Sequence, residues 1–212
     1  MIQHPVVYRV IPPEGARQRL SVAFRLILAI PHILLVGGPG ISLGQAARTG
    51  VLGAVADICA FINWFAIVFT GRAIQGLMDL QIFYLKWRAR ALAYEALLRD
   101  EYPPFGDGDY PVTTEFLAVR EGRNRWTVGF RLILIIPQVL VLLVLLVAWF
   151  LTAVVGWFAI LFIGHYPEGL WRFGEGVMRW TLRLEAYMLL LHDQYPPFSL
   201  QEETPQPAPA PV

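Results

Sequence analysis

Few side chains in this 212-residue chain are placed to do chemistry. Asp57 and Asn63 are the polar interruptions of the apolar run Val51–Phe69. An ionisable group inside such a run is a functional-site candidate, because a carboxylate in hydrocarbon is costly unless it is paired or hydrated. Asp57 and Asn63 therefore form the candidate intramembrane polar site, open to two roles: a polar contact between helices, or a step in an ion or proton path. His4, His32, His165 and His192 are scattered, and none has a second histidine or carboxylate at the i,i+4 spacing of a helical zinc motif. Cys59 is the single cysteine and lies among apolar neighbours, where it reads as a small hydrophobe. No nucleophile elbow, phosphate-binding loop or dinucleotide fingerprint is present, and Gly37–Gly40 reads as a turn. No catalytic residue, metal ligand or cofactor is expected.

The remaining candidates are contacts. Arg90 and Arg183 stand at equivalent positions and are expected to meet lipid headgroup phosphates or to pair between helices. Trp87, Trp180, Tyr102 and Tyr195 suit the level of the headgroups and are expected to anchor there. The 17 basic and 16 acidic residues nearly cancel, so no field is available to gather nucleic acid.

What must position these groups is a set of apolar helices. The chain is 56% hydrophobic and 16% charged, which leaves more apolar surface than a soluble domain of this size can cover. Val139–Ile163 has no charged residue and exceeds the roughly 20 residues needed to cross a bilayer. Val51–Phe69 is its counterpart. Each is followed by a charged segment, Leu77–Leu98 and Phe173–Leu191; the first cannot face lipid all round and must lie in the interface or pack on other helices.

The organisation is a duplication. Phe24–Pro31 returns as Phe130–Pro137 with seven of eight residues identical, and Trp64–Ile67 returns as Trp157–Ile160. Both copies end in Asp-x-Tyr-Pro-Pro-Phe, Asp100–Phe105 and Asp193–Phe198, a sequence expected to stop and anchor the second helix. The copies are assigned to 5–105, with an insertion at about 37–50, and to 126–199. Residues 106–125 are a polar connection, and 200–212 a Pro/Ala-rich tail expected to be disordered. Val6–Val10 and Val112–Phe116 look extended but too short to count as strands. The recurrence of Phe-Arg-Leu-Ile-Leu in mid-chain argues against a cleavable leader at the first copy.

Arginines before the first run, and again between the copies, place the N-terminus, the connection and the C-terminal tail in the cytoplasm. That distribution predicts two crossings per copy, with the turn near Gly164 on the opposite side.

The combination of Arg-Leu-Ile-Leu-x-Ile-Pro, Trp-Phe-Ala-Ile, Thr70-Gly71-Arg72 or Gly164-His165-Tyr166-Pro167, and Tyr-Pro-Pro-Phe resembles the bacterial membrane proteins classed as domain of unknown function 4389. The resemblance covers both copies and implies an integral protein of a bacterial inner membrane with no assigned activity. Copy one departs from it by the insertion and by Ala73-Ile74 where copy two has Tyr166-Pro167.

The expected fold is an all-α membrane protein of two tandem repeats, each with a long hydrophobic helix and a charged amphipathic second helix. The expected function is a non-enzymatic scaffold or accessory subunit whose partners are the bilayer and another membrane protein or a second copy. The alternatives are a small transporter or channel with a path between the repeats, and a lipid-modifying enzyme.

Overall fold

A computed structural model describes residues 4–40 and 46–202, without the side chains of 46–49. The elements follow the duplication. Copy one runs β1 (Val6–Val10), α1 (Arg19–Ala23), α2 (Arg25–Val36), α3 (Ala46–Thr70) and α4 (Gln75–Glu95). Copy two runs β2 (Val112–Phe116), α5 (Arg125–Gly129), α6 (Arg131–Leu134), α7 (Ile136–Ile163) and α8 (Glu168–Met188).

The long helix of copy two is nearly unbroken. Pro137 sits in its first turn, where the missing amide costs no hydrogen bond. It stops at Gly164, whose left-handed φ of 85° lets its amide reach the carbonyls of Ala159 and Ile160. Its 28 residues make a rod of about 42 Å. Copy one divides the same rod. α2 ends at Val36, and α3 bends at Gly50, where φ is 66° and a Cβ would press on the backbone of Leu35 and Gly37. The inserted sequence lies between these points, with 41–45 outside the described residues.

Val6–Val10 and Val112–Phe116 are strands after all, paired antiparallel with Val6 opposite Phe116 and Val10 opposite Val112. Neither could persist alone; each finds its partner across the duplication. β1 also packs on α8, where the Glu175 carboxylate accepts the Val10 amide at 2.9 Å and Arg179 donates to the Tyr8 carbonyl at 2.8 Å. β2 packs on α4.

The second helices are the core. From Leu85 to Tyr94 every residue of α4 except Lys86 and Trp87 is buried, as is every residue of α8 from Gly176 to Tyr187. Both helices pack on other elements of the fold, and the later half of α4 has no polar face to present. The Tyr-Pro-Pro-Phe sequences do not stop these helices either. Each ends earlier, at a turn with a left-handed leucine, Leu97 at φ 61° and Leu190 at φ 64°. There Leu98 donates to the Ala93 carbonyl and Leu191 to that of Ala186, the double turn that usually takes glycine.

The copies run in opposite directions. Trp64 Nε1 donates to the Val128 carbonyl at 3.1 Å, and Trp157 Nε1 donates to that of Val22 at 2.9 Å. Gly71 lies beside the Arg125 guanidinium and Gly164 beside that of Arg19. Each long helix therefore ends where the other copy begins. Two crossings per copy would require the Gly71 and Gly164 turns on one side of a bilayer, whereas the fold puts them at opposite ends of the molecule.

Candidate functional site

The strongest polar constellation occurs twice. In copy one Asp100 accepts hydrogen bonds from Arg17 at 2.7 Å, from Arg25 at 2.8 Å and from the Gln18 amide at 3.0 Å. In copy two Asp193 accepts from Arg123 at 2.8 Å, from Arg131 at 2.7 Å and from the Asn124 amide at 2.9 Å. Arg25 lies over the Tyr94 ring, 3.9 Å from its centre, and Arg131 over that of Tyr187 at 4.0 Å. Further guanidinium nitrogens donate to backbone carbonyls at the helix ends. Arg17 reaches Leu97, Arg25 reaches Tyr94 and Arg99, Arg123 reaches Leu190, and Arg131 reaches Tyr187 and His192.

Each lock therefore ties the lead-in of a copy to the end of its second helix and satisfies carbonyls that the helix leaves open. The arginines hold both aspartates below the usual carboxylate range, against the opposing effect of burial. The geometry is that of a fastening, with one guanidinium of each lock stacked on a tyrosine and each carboxylate holding two arginines and a main-chain amide. Arginines read in the sequence as topology signals are thus taken up inside the fold. The cue for them was available: Arg17, Arg25, Asp100 and Tyr94 all have identical residues at the duplicate positions.

Between the copies the symmetry breaks. Arg88 Nε donates to Glu185 at 2.7 Å with both side chains buried, and Arg88 also donates to the carbonyls of Val36, Gly38 and Gly40. The duplicate positions carry Thr181 and Leu92. The costly arginine of α4 thus has its partner on the other copy.

Two clefts open between each long helix and the lead-in of the opposite copy. One, of about 700 Å³, is lined by Asp57, Trp64, Arg131, Leu132 and Met188 among others. The other, of about 550 Å³, is lined by the duplicates Phe150, Trp157, Arg25, Leu26 and Glu95. Each cleft holds one carboxylate, but on a different element: Asp57 on α3 in the first, Glu95 on α4 in the second. The Glu95 oxygens have no hydrogen-bond partner among the described residues, and burial pushes its pKa up to about 8.

Asp57 and Asn63 do not form one site. Asn63 is buried with its Oδ1 accepting the Ile74 amide at 2.8 Å, which fixes the turn between α3 and α4. Asp57 lines the first cleft and a crevice shared with Tyr84 and Glu185. Arg90 and Arg183, expected at headgroups, turn inward. Both are buried; Arg90 donates to the Gly106 carbonyl and Arg183 to those of Ser199 and Gln201. Their guanidiniums hold the folded-back Tyr-Pro-Pro-Phe segments onto the helices.

The aromatic anchors divide. Tyr102 and Tyr195 are exposed, and the Tyr195 hydroxyl donates to the Leu134 carbonyl. Trp180 is buried and donates to Gln138 Oε1 at 2.7 Å, while the partly buried Trp87 donates to His32 Nδ1 at 3.1 Å. These are matched contacts, because His32 and Gln138 each follow the proline of the repeated lead-in.

The pair sequence reading missed is His4 and His192, packed edge to face with ring centres 5.4 Å apart. Burial lowers their pKa values to about 4 and about 3, so both are neutral at neutral pH. Among the described residues no three His, Cys, Asp or Glu side chains converge as a metal site would require.

Comparison with curated proteins and with solved structures finds no match. A family model described as "Domain of unknown function (DUF4389)" matches residues 19–106 and 125–199, which include Arg25, Tyr94 and Asp100 of one lock and Arg131, Tyr187 and Asp193 of the other. The chain accordingly belongs to this family of unknown function, with two tandem copies of its domain.

Proposed function

We propose that the protein is an integral component of a bacterial inner membrane and acts as a non-enzymatic scaffold or accessory subunit, in contact with lipid and with another membrane protein or a second copy. One observation carries this reading: the outward stripes of the long helices. On α7, Leu140, Val144, Val147, Leu151, Val155, Phe158 and Phe162 are all exposed at helical spacing, as are Val51, Val55, Ile58, Ile62, Phe65 and Phe69 on α3. Both helices are long and apolar enough to cross a membrane. An apolar surface of this extent is a liability in water and a requirement in lipid.

The polar groups support the scaffold over the alternatives. Both locks are closed by the chain itself, and the Arg88–Glu185 pair fills the contact between the halves, where a transport path would have to run. The experiment is extraction of membranes with alkaline carbonate, followed by purification in mild detergent and identification of what accompanies the chain. Retention in the washed membrane and a stoichiometric membrane-protein partner, or a defined oligomer, are expected. Recovery in the soluble fraction would end the membrane reading, and solute movement into liposomes by the purified protein would end the scaffold one.

A further inference from the structure

The two ends of the molecule decide how it can sit in lipid. One end gathers the start of copy one and the end of α7: the Arg17 amide donates to the Gly164 carbonyl at 3.1 Å, and Trp171 Nε1 donates to the Leu98 carbonyl at 3.1 Å. The other gathers the start of copy two and the end of α3, where the Ala73 amide donates to the Arg120 carbonyl at 2.9 Å. Asp100 is locked at the first end and Asp193 at the second, so residues 101–122, with β2 among them, pass from one end to the other.

Suppose the line between the ends stood along the bilayer normal. The connection would then cross hydrocarbon as coil and a two-stranded sheet, carrying Glu101, Asp107, Asp109 and Glu115 on its exposed surface. A charged side chain at mid-bilayer costs about 2.5–3.5 kcal/mol even on insertion scales. Open sheet edges do not occur against lipid. The orientation fails on both grounds.

Laid on its side, the molecule sorts correctly. α8 has β1 against it through Glu175 and Arg179, and α7 against it through Trp180 and Gly174, so it stands between the sheet and the apolar rod. α4 likewise contacts both β2 and α3. The lead-ins add Leu26 and Leu132, exposed at 79% and 75%, to the apolar face. Exposed arginines mark both ends: Arg19 and Arg172 at one, Arg72 and Arg125 at the other, with Trp126 exposed beside them; Arg172 pairs with Glu168 and Arg72 lies 3.9 Å from Glu121 at the same surface. This is the pattern of an in-plane amphipathic surface, apolar below and with arginines at its two ends within reach of anionic headgroups.

We propose that the protein enters a single leaflet of a phospholipid membrane, with α3 and α7 lying in the membrane plane, the exposed arginines at the headgroups, and the sheet and connection in water. This rests on the membrane reading above and replaces crossing by one-sided insertion.

The test uses the full chain with Cys59→Ala and one new cysteine at an exposed site: Arg72→Cys at one end, Glu168→Cys at the other, or Asp107→Cys in the connection. Cells expressing each variant are converted to spheroplasts and treated with a membrane-impermeant maleimide before and after permeabilisation. One-sided insertion predicts that all three are labelled from the same side and to the same extent. Labelling of Arg72→Cys and Glu168→Cys from opposite sides would overturn it. A chain found in the soluble fraction would overturn the membrane reading as well, so the two failures are distinguishable.

A second measurement uses the purified protein in vesicles of phosphatidylethanolamine and phosphatidylglycerol, with a fluorophore at Leu140→Cys, Leu151→Cys or Phe162→Cys and quenchers at graded depth in the acyl chains. In-plane helices give the same quenching depth at all three sites. A deep maximum at Leu151 flanked by shallow ends would refute the proposal.

Discussion

The two locks look interchangeable and are not equally sheltered. In both, two arginines converge on one aspartate, a main-chain amide completes it, and one arginine is stacked on a tyrosine. The side chain of Asp100 is 8% exposed, whereas that of Asp193 is 25% exposed. Duplication preserved what fastens a lead-in to a helix end and left the surroundings free to drift. The drift is plain at the contact between copies, where Arg88 and Glu185 stand at the duplicate positions of Thr181 and Leu92.

That contrast predicts unequal responses to the same change. Asp100→Asn keeps the shape but leaves two buried guanidiniums without a counter-charge, which is expected to cost about 3–5 kcal/mol. Asp193→Asn does the same where water can reach the pair, and is expected to cost about 2 kcal/mol. Thermal unfolding of both variants in one detergent measures the difference. Equal losses would show that exposure does not separate the locks.

The fold was legible where the duplication repeated a residue type, and not where a contact joins residues of different types. Phe24–Pro31 and Phe130–Pro137 announced the two halves and the long helices after them. The locks were half visible: the arginines and aspartates recur, but positive charge near an apolar run has two readings, a topology signal or an ion-pair partner, and spacing alone does not choose. The partner of Arg88 was hidden, because Glu185 has no duplicate and lies far along the chain. The strands were hidden for a similar reason, since a five-residue extended piece takes its stability from a partner 100 or so positions away. Asn63 and Gly156 show how little a single position reveals. At equivalent places, one uses its side chain to hold the Ile74 amide, and the other is bare because the Tyr166 ring occupies the space a Cβ would need.

The contact between copies can be broken in one step and mended in two. Arg88→Thr alone leaves Glu185 buried without its cation, and Glu185→Leu alone leaves Arg88 with only carbonyl acceptors. Each is expected to cost about 3 kcal/mol or more. The double variant gives both copies the residues of the opposite one and removes the charges together, so it is expected to recover most of that loss; a residue remains because the Val36, Gly38 and Gly40 carbonyls lose their donor. A double-mutant cycle on unfolding in detergent reads the coupling. Additive losses would mean that the pair is not what holds the copies together.

The smallest effect concerns the clefts and depends on pH. Glu95 stands where copy two has Met188, at the last turn of α4, where a negative charge also opposes the helix dipole. Its pKa is raised from the ordinary 4.5 to about 8 by burial, with the charge of Arg88 acting the other way. The folded protein therefore holds a proton that the unfolded chain has released between those values. The contribution of Glu95 is fully present below about pH 4.5, declines as pH rises, and is gone above about pH 8. His4 and His192 oppose this. Their folded values are lowered by burial from 6.5, so stability falls as pH drops below about 6.5, and the bare profile of the protein mixes both slopes. Glu95→Met separates them, because the histidines are common to both proteins. The variant is expected to be more stable by about 1–3 kcal/mol at pH 8, with the advantage shrinking toward pH 5. Unfolding midpoints of the two proteins across pH 5–9 in one detergent give the comparison; an advantage that does not change with pH would show that Glu95 ionises in the folded protein as freely as it does in the unfolded chain.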